Sequence, residues 1–139
     1  MIQFVEENVK FPLSKKNPVK RWIKSIVESY NKTIGDICII FCDDEYILSV
    51  NQQYLKHDYY TDVITFDYVE GDIISGDLFI SLDTVRTNAE KYSDSFESEA
   101  KRVIIHGVLH LLGLKDKTES DAFQMRIAEN KALEMFPSL

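Results

Sequence analysis

The chain has no apolar run approaching the roughly 20 residues that a membrane-spanning helix needs, so a bilayer protein is not indicated. It also opens without a basic stretch leading into an apolar one, and the expected compartment is the cytoplasm. Cysteine is scarce, with only Cys38 and Cys42, both in DICIIFC. That segment reads as a strand, where residues four apart share a face but stand about 13 Å apart. Such a separation excludes a mutual disulfide or a shared zinc, and leaves two small buried apolar residues suited to a reducing compartment. Positive charge is short as well: 16 Lys and Arg face 23 Asp and Glu, for a net charge of −7. Coating nucleic acid by bulk attraction requires clustered Lys and Arg, so that class is excluded while a local basic groove is not. The one basic cluster, Lys15, Lys16, Lys20, Arg21 and Lys24, begins a helix and reads as a solvated face. There is no internal repeat, linker or low-complexity tract, and residues 1–139 are expected to form one domain.

What is present alternates strands and helices. IQFVEE has the two-residue alternation of an opening strand. In NPVKRWIKSIVESYNK, Val19, Trp22, Ile23, Ile26, Val27 and Tyr30 follow helical spacing, with Asn17 as cap and Pro18 in the first helical position. DICIIFC is nearly all apolar, as in a strand covered on both faces. Asp43 and Asp44 can cap a helix through Tyr46, Ile47, Val50 and Tyr54. TDVITFDY and GDLFISL read as strands separated by a loop carrying Gly71 and Gly76, and Asp83 as the cap of a helix through Val85 and Ala89. A long helix is expected from about Ser95 to Leu112, ending at Gly113. A last helix, capped near Thr118, turns Met125, Ala128, Ala132 and Met135 inward. The fold class is therefore α+β: a mixed sheet of about four strands packed against helices, with a metal site at the end of a long buried helix.

That site is read from HGVLHLLGLKDK, residues 106–117. Histidines four apart on a helix project from one face, so His106 and His110 can converge on one ion. Gly113 breaks the helix and lets the chain fold back, and the residue six after the second His is Asp116. The spacing H-x-x-x-H-x-x-G-x-x-D is that of metzincin peptidases with aspartate in place of their third His. Aspartate binds zinc, and three protein ligands leave a fourth position for water, which marks a catalytic site. The bland alternative is a pair of satisfied core histidines in an apolar helix. Zinc peptidases carry a general-base Glu directly after the first His, and Gly107 stands there instead.

At these residues the chain resembles the YbeY family, single-strand-specific endoribonucleases and rRNA maturation factors whose zinc motif runs H-G-x-L-H-L-x-G-x-D-H. HGVLHLLG matches it through Gly113. NQQYLKHDYYTDVITFDY is similar to the family segment N-x-x-Y-R-x-x-D-x-x-T-D-V-L-S-F, and GDLFIS to its G-D-I-x-I-S strand. The blocks agree in order and spacing over roughly residues 36–136. The resemblance implies a cytoplasmic hydrolase holding one zinc ion, acting on single-stranded rRNA precursors in ribosome biogenesis, with the small ribosomal subunit as a partner and no membrane. Two departures limit the match: Asp116, preceded by Lys115 where the family usually has Asp, replaces the third His, and Leu55 replaces the arginine that follows the tyrosine. Leucine cannot pair with phosphate, so Lys56 and His57 become the expected substrate contacts. Tyr54, Tyr59 and Tyr60 either stack on bases or belong to the sheet. Thr61 and Asp62 either orient a ligand imidazole or cap a turn. A peptidase-like zinc hydrolase and a non-catalytic ribosome-assembly factor braced by a structural metal are the competing readings.

Overall fold

The computed structural model describes residues 1–10, 16–55 and 63–136. Ten elements follow in order: β1 Ile2–Glu6, α1 Lys16–Ser29, β2 Thr33–Cys42, α2 Asp44–Val50 with a π-helical turn Asn51–Leu55, β3 Val63–Asp67, β4 Ile73–Ser81, α3 Leu82–Lys91, α4 Phe96–Leu111 and α5 Glu119–Met135. The four strands form one sheet in the order β1-β2-β4-β3. β1 and β4 run parallel to β2, while β3 lies antiparallel on the outer edge of β4. Parallel neighbours need a crossover, and α1 supplies it between β1 and β2. The result is the expected α+β class with a mixed sheet.

The apolar pattern of each element explains its place. α1 buries Val19, Trp22, Ile23, Ile26 and Val27 against one face of the sheet, where Ile37, Ile39, Phe41, Leu78 and Ile80 meet it together with α4. The opposite face carries a smaller cluster of Cys42, Ile47, Val50 and Ile64, with Tyr46, Phe66 and Phe79 packed against it. β2 therefore has cover on both faces over its second half, as its continuous apolar run requires. The indole N–H of the fully buried Trp22 donates to the Ala132 carbonyl at 2.7 Å, which ties α1 to α5. Among the described residues, no helix is long and apolar enough to cross a membrane.

Several boundaries differ from the sequence expectation, each for a physical reason. α1 begins at Lys16, which puts Asn17 inside the helix and Pro18 in its first turn, where a missing N–H costs nothing. β2 begins at Thr33, and its pairing with β4 shifts between Ile34 and Ile37. Ser81, and not Asp83, caps α3 by accepting from the Thr84 amide at 3.3 Å. Asp83 instead accepts from the Asp44 backbone N–H at 2.9 Å, joining the starts of α2 and α3. Both cysteines are free, and Cys38 is only partly buried. Burial, reinforced by Asp43, Asp44, Asp83 and Glu7, pushes the Cys42 thiol up to about 12.

Gly76 is not in a loop: it lies within β4, paired with Ile37 on one side and Asp67 on the other. A Cβ there would stand 2.5 Å from the Phe66 carbonyl oxygen and 2.8 Å from a methyl of Leu111, the last residue of α4. Glycine at this point lets β3 and the end of α4 approach β4 together. Replacing Gly76 with alanine should lower stability by about 1–3 kcal/mol, the usual cost of overpacking. Urea denaturation, with its midpoint lowered and its slope unchanged, is the check.

Candidate metal centre

α4 begins at Ser95, whose hydroxyl accepts from the Ser98 amide at 3.0 Å, and ends in two reversed hydrogen bonds. The Gly113 N–H donates to the His110 carbonyl and the Leu114 N–H to the Leu109 carbonyl, each at 3.0 Å, with Gly113 at φ 102°. This is a Schellman turn, which a β-carbon at position 113 would strain. It reverses the chain and delivers Asp116 back to the helix.

Three side chains converge there. The Nε2 atoms of His106 and His110 are 3.0 Å apart, and Asp116 Oδ2 stands 3.3 Å from the first and 3.5 Å from the second. The other ring nitrogens decide the protonation. His106 Nδ1 faces Glu129 Oε2 at 2.7 Å, and His110 Nδ1 faces the Leu114 carbonyl at 3.0 Å. A carboxylate and a carbonyl can only accept, so both Nδ1 atoms donate, and in the neutral form that a metal requires each ring turns its Nε2 lone pair inward. Three acceptor atoms then face one another, and their lone pairs repel. A shared cation relieves that repulsion.

The spacing also fits an ion. On a tetrahedral zinc with bonds of ~2.0–2.1 Å, ligand atoms lie ~3.3–3.4 Å apart, close to the three distances seen here. His106, His110 and Asp116 thus form a group able to hold one metal ion and to leave a fourth corner open. Asp116 is the most exposed of the three at 44 %, so the open side of the group faces solvent.

Behind His106 stands a residue that sequence reasoning missed. Glu129 of α5 is only 5 % exposed, and its second oxygen receives Arg102 Nη1 at 2.9 Å, while Arg102 Nη2 donates to Asn130 at 2.9 Å. Burial alone would raise the Glu129 carboxyl, but hydrogen bonds from His106 and Arg102 and their charges outweigh it and hold the group below its ordinary value. Arg102, His106 and His110 follow one another at steps of four and share a face of α4. The available signal was Glu129 itself, lying four residues after Met125 and three before Ala132 on the apolar side of its helix.

Position 107 also speaks to the peptidase alternative. A Cβ on Gly107 would lie 3.0 Å from both methyls of Leu78 in β4, so a side chain there enters the helix–sheet interface. A general base at this position would be buried in the core, away from the three ligands. Lys56 and His57, the expected substrate contacts, lie outside the described residues, as do Tyr59, Tyr60, Thr61 and Asp62. Tyr54 is described: it is 61 % exposed, with its ring edge-on to Phe66 at 5.8 Å.

Fold and site together define an α+β protein with a helix-borne group of potential metal ligands. A family model described as Endoribonuclease YbeY matches residues 2–137. The Endoribonuclease YbeY of Bacteroides thetaiotaomicron is 56 % identical over 134 residues, covering 96 % of this chain and 98 % of that one. The protein of the same name from Phocaeicola vulgatus is 57 % identical over 133 residues, covering 96 % of each. The solution structure of TM1509 from Thermotoga maritima is similar with a TM-score of 0.72 and 27 % identity, over 98 % of this chain and 89 % of that one. The chain belongs to the YbeY endoribonuclease family.

Removing the carboxylate that orients His106 should weaken metal binding. Glu129→Ala is expected to lose about 10–100-fold in affinity and Glu129→Gln less, since glutamine keeps an acceptor for Nδ1–H. Competition with a chromophoric chelator reads both. In metal-free protein the lowered Glu129 carboxyl stabilises the fold above its ordinary value of 4.5, and this contribution is lost as pH falls through the lower folded value. Glu129→Gln should flatten that acid limb of the stability profile.

Proposed function

We propose that the protein is a zinc-dependent endoribonuclease that hydrolyses phosphodiesters of single-stranded RNA during rRNA maturation. The observation that carries the reading is the meeting of three acceptor atoms at 3.0–3.5 Å in a chain of this family. His106, His110 and Asp116 would hold the ion. When bound, zinc supplies a Lewis acid for a phosphoryl oxygen and lowers the pKa of water toward ~7.

The protein's own groups do the rest. Two neutral imidazoles and one carboxylate leave a divalent ion with a net positive charge, which suits an anionic phosphodiester. Glu129 orients His106 and fixes its tautomer; with both oxygens engaged it is a positioning residue and not the general base. The Leu114 carbonyl does the same for His110. Lys56 and His57 remain the proposed substrate contacts in place of the arginine replaced by Leu55. The proposed setting is the cytoplasm, with the small ribosomal subunit as the partner that presents the RNA.

Metal analysis of purified protein and cleavage of a labelled single-stranded RNA, with and without chelator, test the proposal. Wild type should carry one zinc per chain and cleave only when loaded. His110→Ala should lose stoichiometric zinc and slow cleavage by at least ~100-fold, since a missing ligand removes the ion that activates water. A His110→Ala protein that kept its zinc, or cleaved at the wild-type rate, would rule the site out.

A further inference from the structure

A cleft of about 200 Å³ opens where the end of α3 meets α4 and α5, and His106 forms part of its wall. Tyr92, Arg102, Arg126 and Glu129 line it as well. It is smaller than the ~300 Å³ at which pockets for whole small molecules begin, so it suits part of a polymer better than a free ligand. Its charges are unequal in availability. Arg102 has both terminal nitrogens occupied, by Glu129 and Asn130, and cancels the Glu129 charge. Arg126 is exposed and makes no ion pair among the described residues. Tyr92 is 57 % exposed, and the Lys91 ammonium lies 5.5 Å from the centre of its ring. Glu99, also on the wall, is buried, which leaves Arg126 as the exposed charge of the cleft.

An unpaired guanidinium beside an exposed aromatic ring is the pairing that single-stranded nucleic acid uses: a fork for phosphate and a flat face for a base. Here both stand on a wall shared with a metal-ligand candidate, in a chain whose net charge is −7. We propose that this cleft, which meets the centre at the Nδ1 side of His106, receives the RNA that flanks the scissile phosphodiester, with Arg126 holding a phosphate and Tyr92 stacking on a base. The assignment rests on the ribonuclease reading above. It gives α5 a part in substrate binding and places a cation beside the centre on a different element from Leu55.

Zinc-loaded protein and a fluorescein-labelled single-stranded oligouridine provide the test. Arg126→Ala should raise KM by roughly 10-fold and leave kcat within about two-fold, with zinc content unchanged. The slope of log affinity against log salt should fall by about 0.7, the share of one phosphate contact on a single strand. Arg126→Lys should restore much of the KM, and Tyr92→Leu should raise it by about five-fold or more. Arg126 is exposed and unpaired, so these variants are expected to fold. If Arg126→Glu bound and cut the RNA with wild-type KM and salt slope, the cleft assignment would be overturned while the metal-dependent cleavage stood. If zinc-loaded wild type left the RNA uncut, the ribonuclease reading would fall and the cleft assignment with it.

Discussion

α4 lies close against β4 where residue 107 has no side chain: a Cβ there would stand 3.0 Å from both methyls of Leu78, which would have to give by a few tenths of an ångström. Protein interiors are too densely packed to absorb such a contact without displacing a neighbour. With the 107 side of the helix seated on the sheet, the face carrying Arg102, His106 and His110 turns away from it. Gly76 makes the matching allowance at the far end, where Leu111 and β3 crowd the same strand. Two glycines thus stand on opposite sides of the interface that orients the candidate ligands. Neither glycine touches the ligand atoms.

The second constraint is electrostatic and runs across helices. Burying Glu129 would be costly if it were alone, since an uncompensated charge in the interior costs several kcal/mol. Arg102 and the His106 N–H satisfy its two oxygens, and these partners outweigh its desolvation and hold the carboxyl below its ordinary value. The same arrangement fixes the His106 ring from behind, while the Schellman turn after α4 lends the Leu114 carbonyl to His110. Helix termination and metal-ligand orientation are thus one piece of backbone chemistry. A cation at the centre would tie α4 to the loop bearing Asp116 and, through Glu129, to α5.

Features that depend on spacing along one helix were legible from residues alone. The four-residue interval placed two imidazoles on one face, and Gly113 marked the reversal that brings Asp116 back. The mixed sheet followed from alternating element types and from the apolar run of β2. What escaped depended on contacts between elements. Glu129 lies between Met125 and Ala132 on the inward side of α5, but its role depends on Arg102 and His106, which stand on another helix. Gly76 reads as a loop residue unless β3 and Leu111 are known to crowd it. Ser81 and Asp83 are both plausible caps, and the difference is the Asp44 amide that claims Asp83. The family resemblance, carried by three blocks of motif, named a chemistry that composition could not.

An acidic chain that binds RNA needs its attraction concentrated near the reacting bond, because the screening length at physiological salt is only ≈ 8 Å. Distant carboxylates then matter little, and the charges within a few ångströms of the phosphodiester decide. A divalent ion held by two neutral rings and one carboxylate keeps one net positive charge, whereas three neutral rings would keep two. With Asp116 as its third ligand, such an ion would pull less strongly on an anionic substrate. A cation on the path of the flanking strand would offset that loss, and Arg126, on the cleft wall, makes no ion pair among the described residues. On this argument the change at the third ligand and the free arginine on α5 belong to one charge balance.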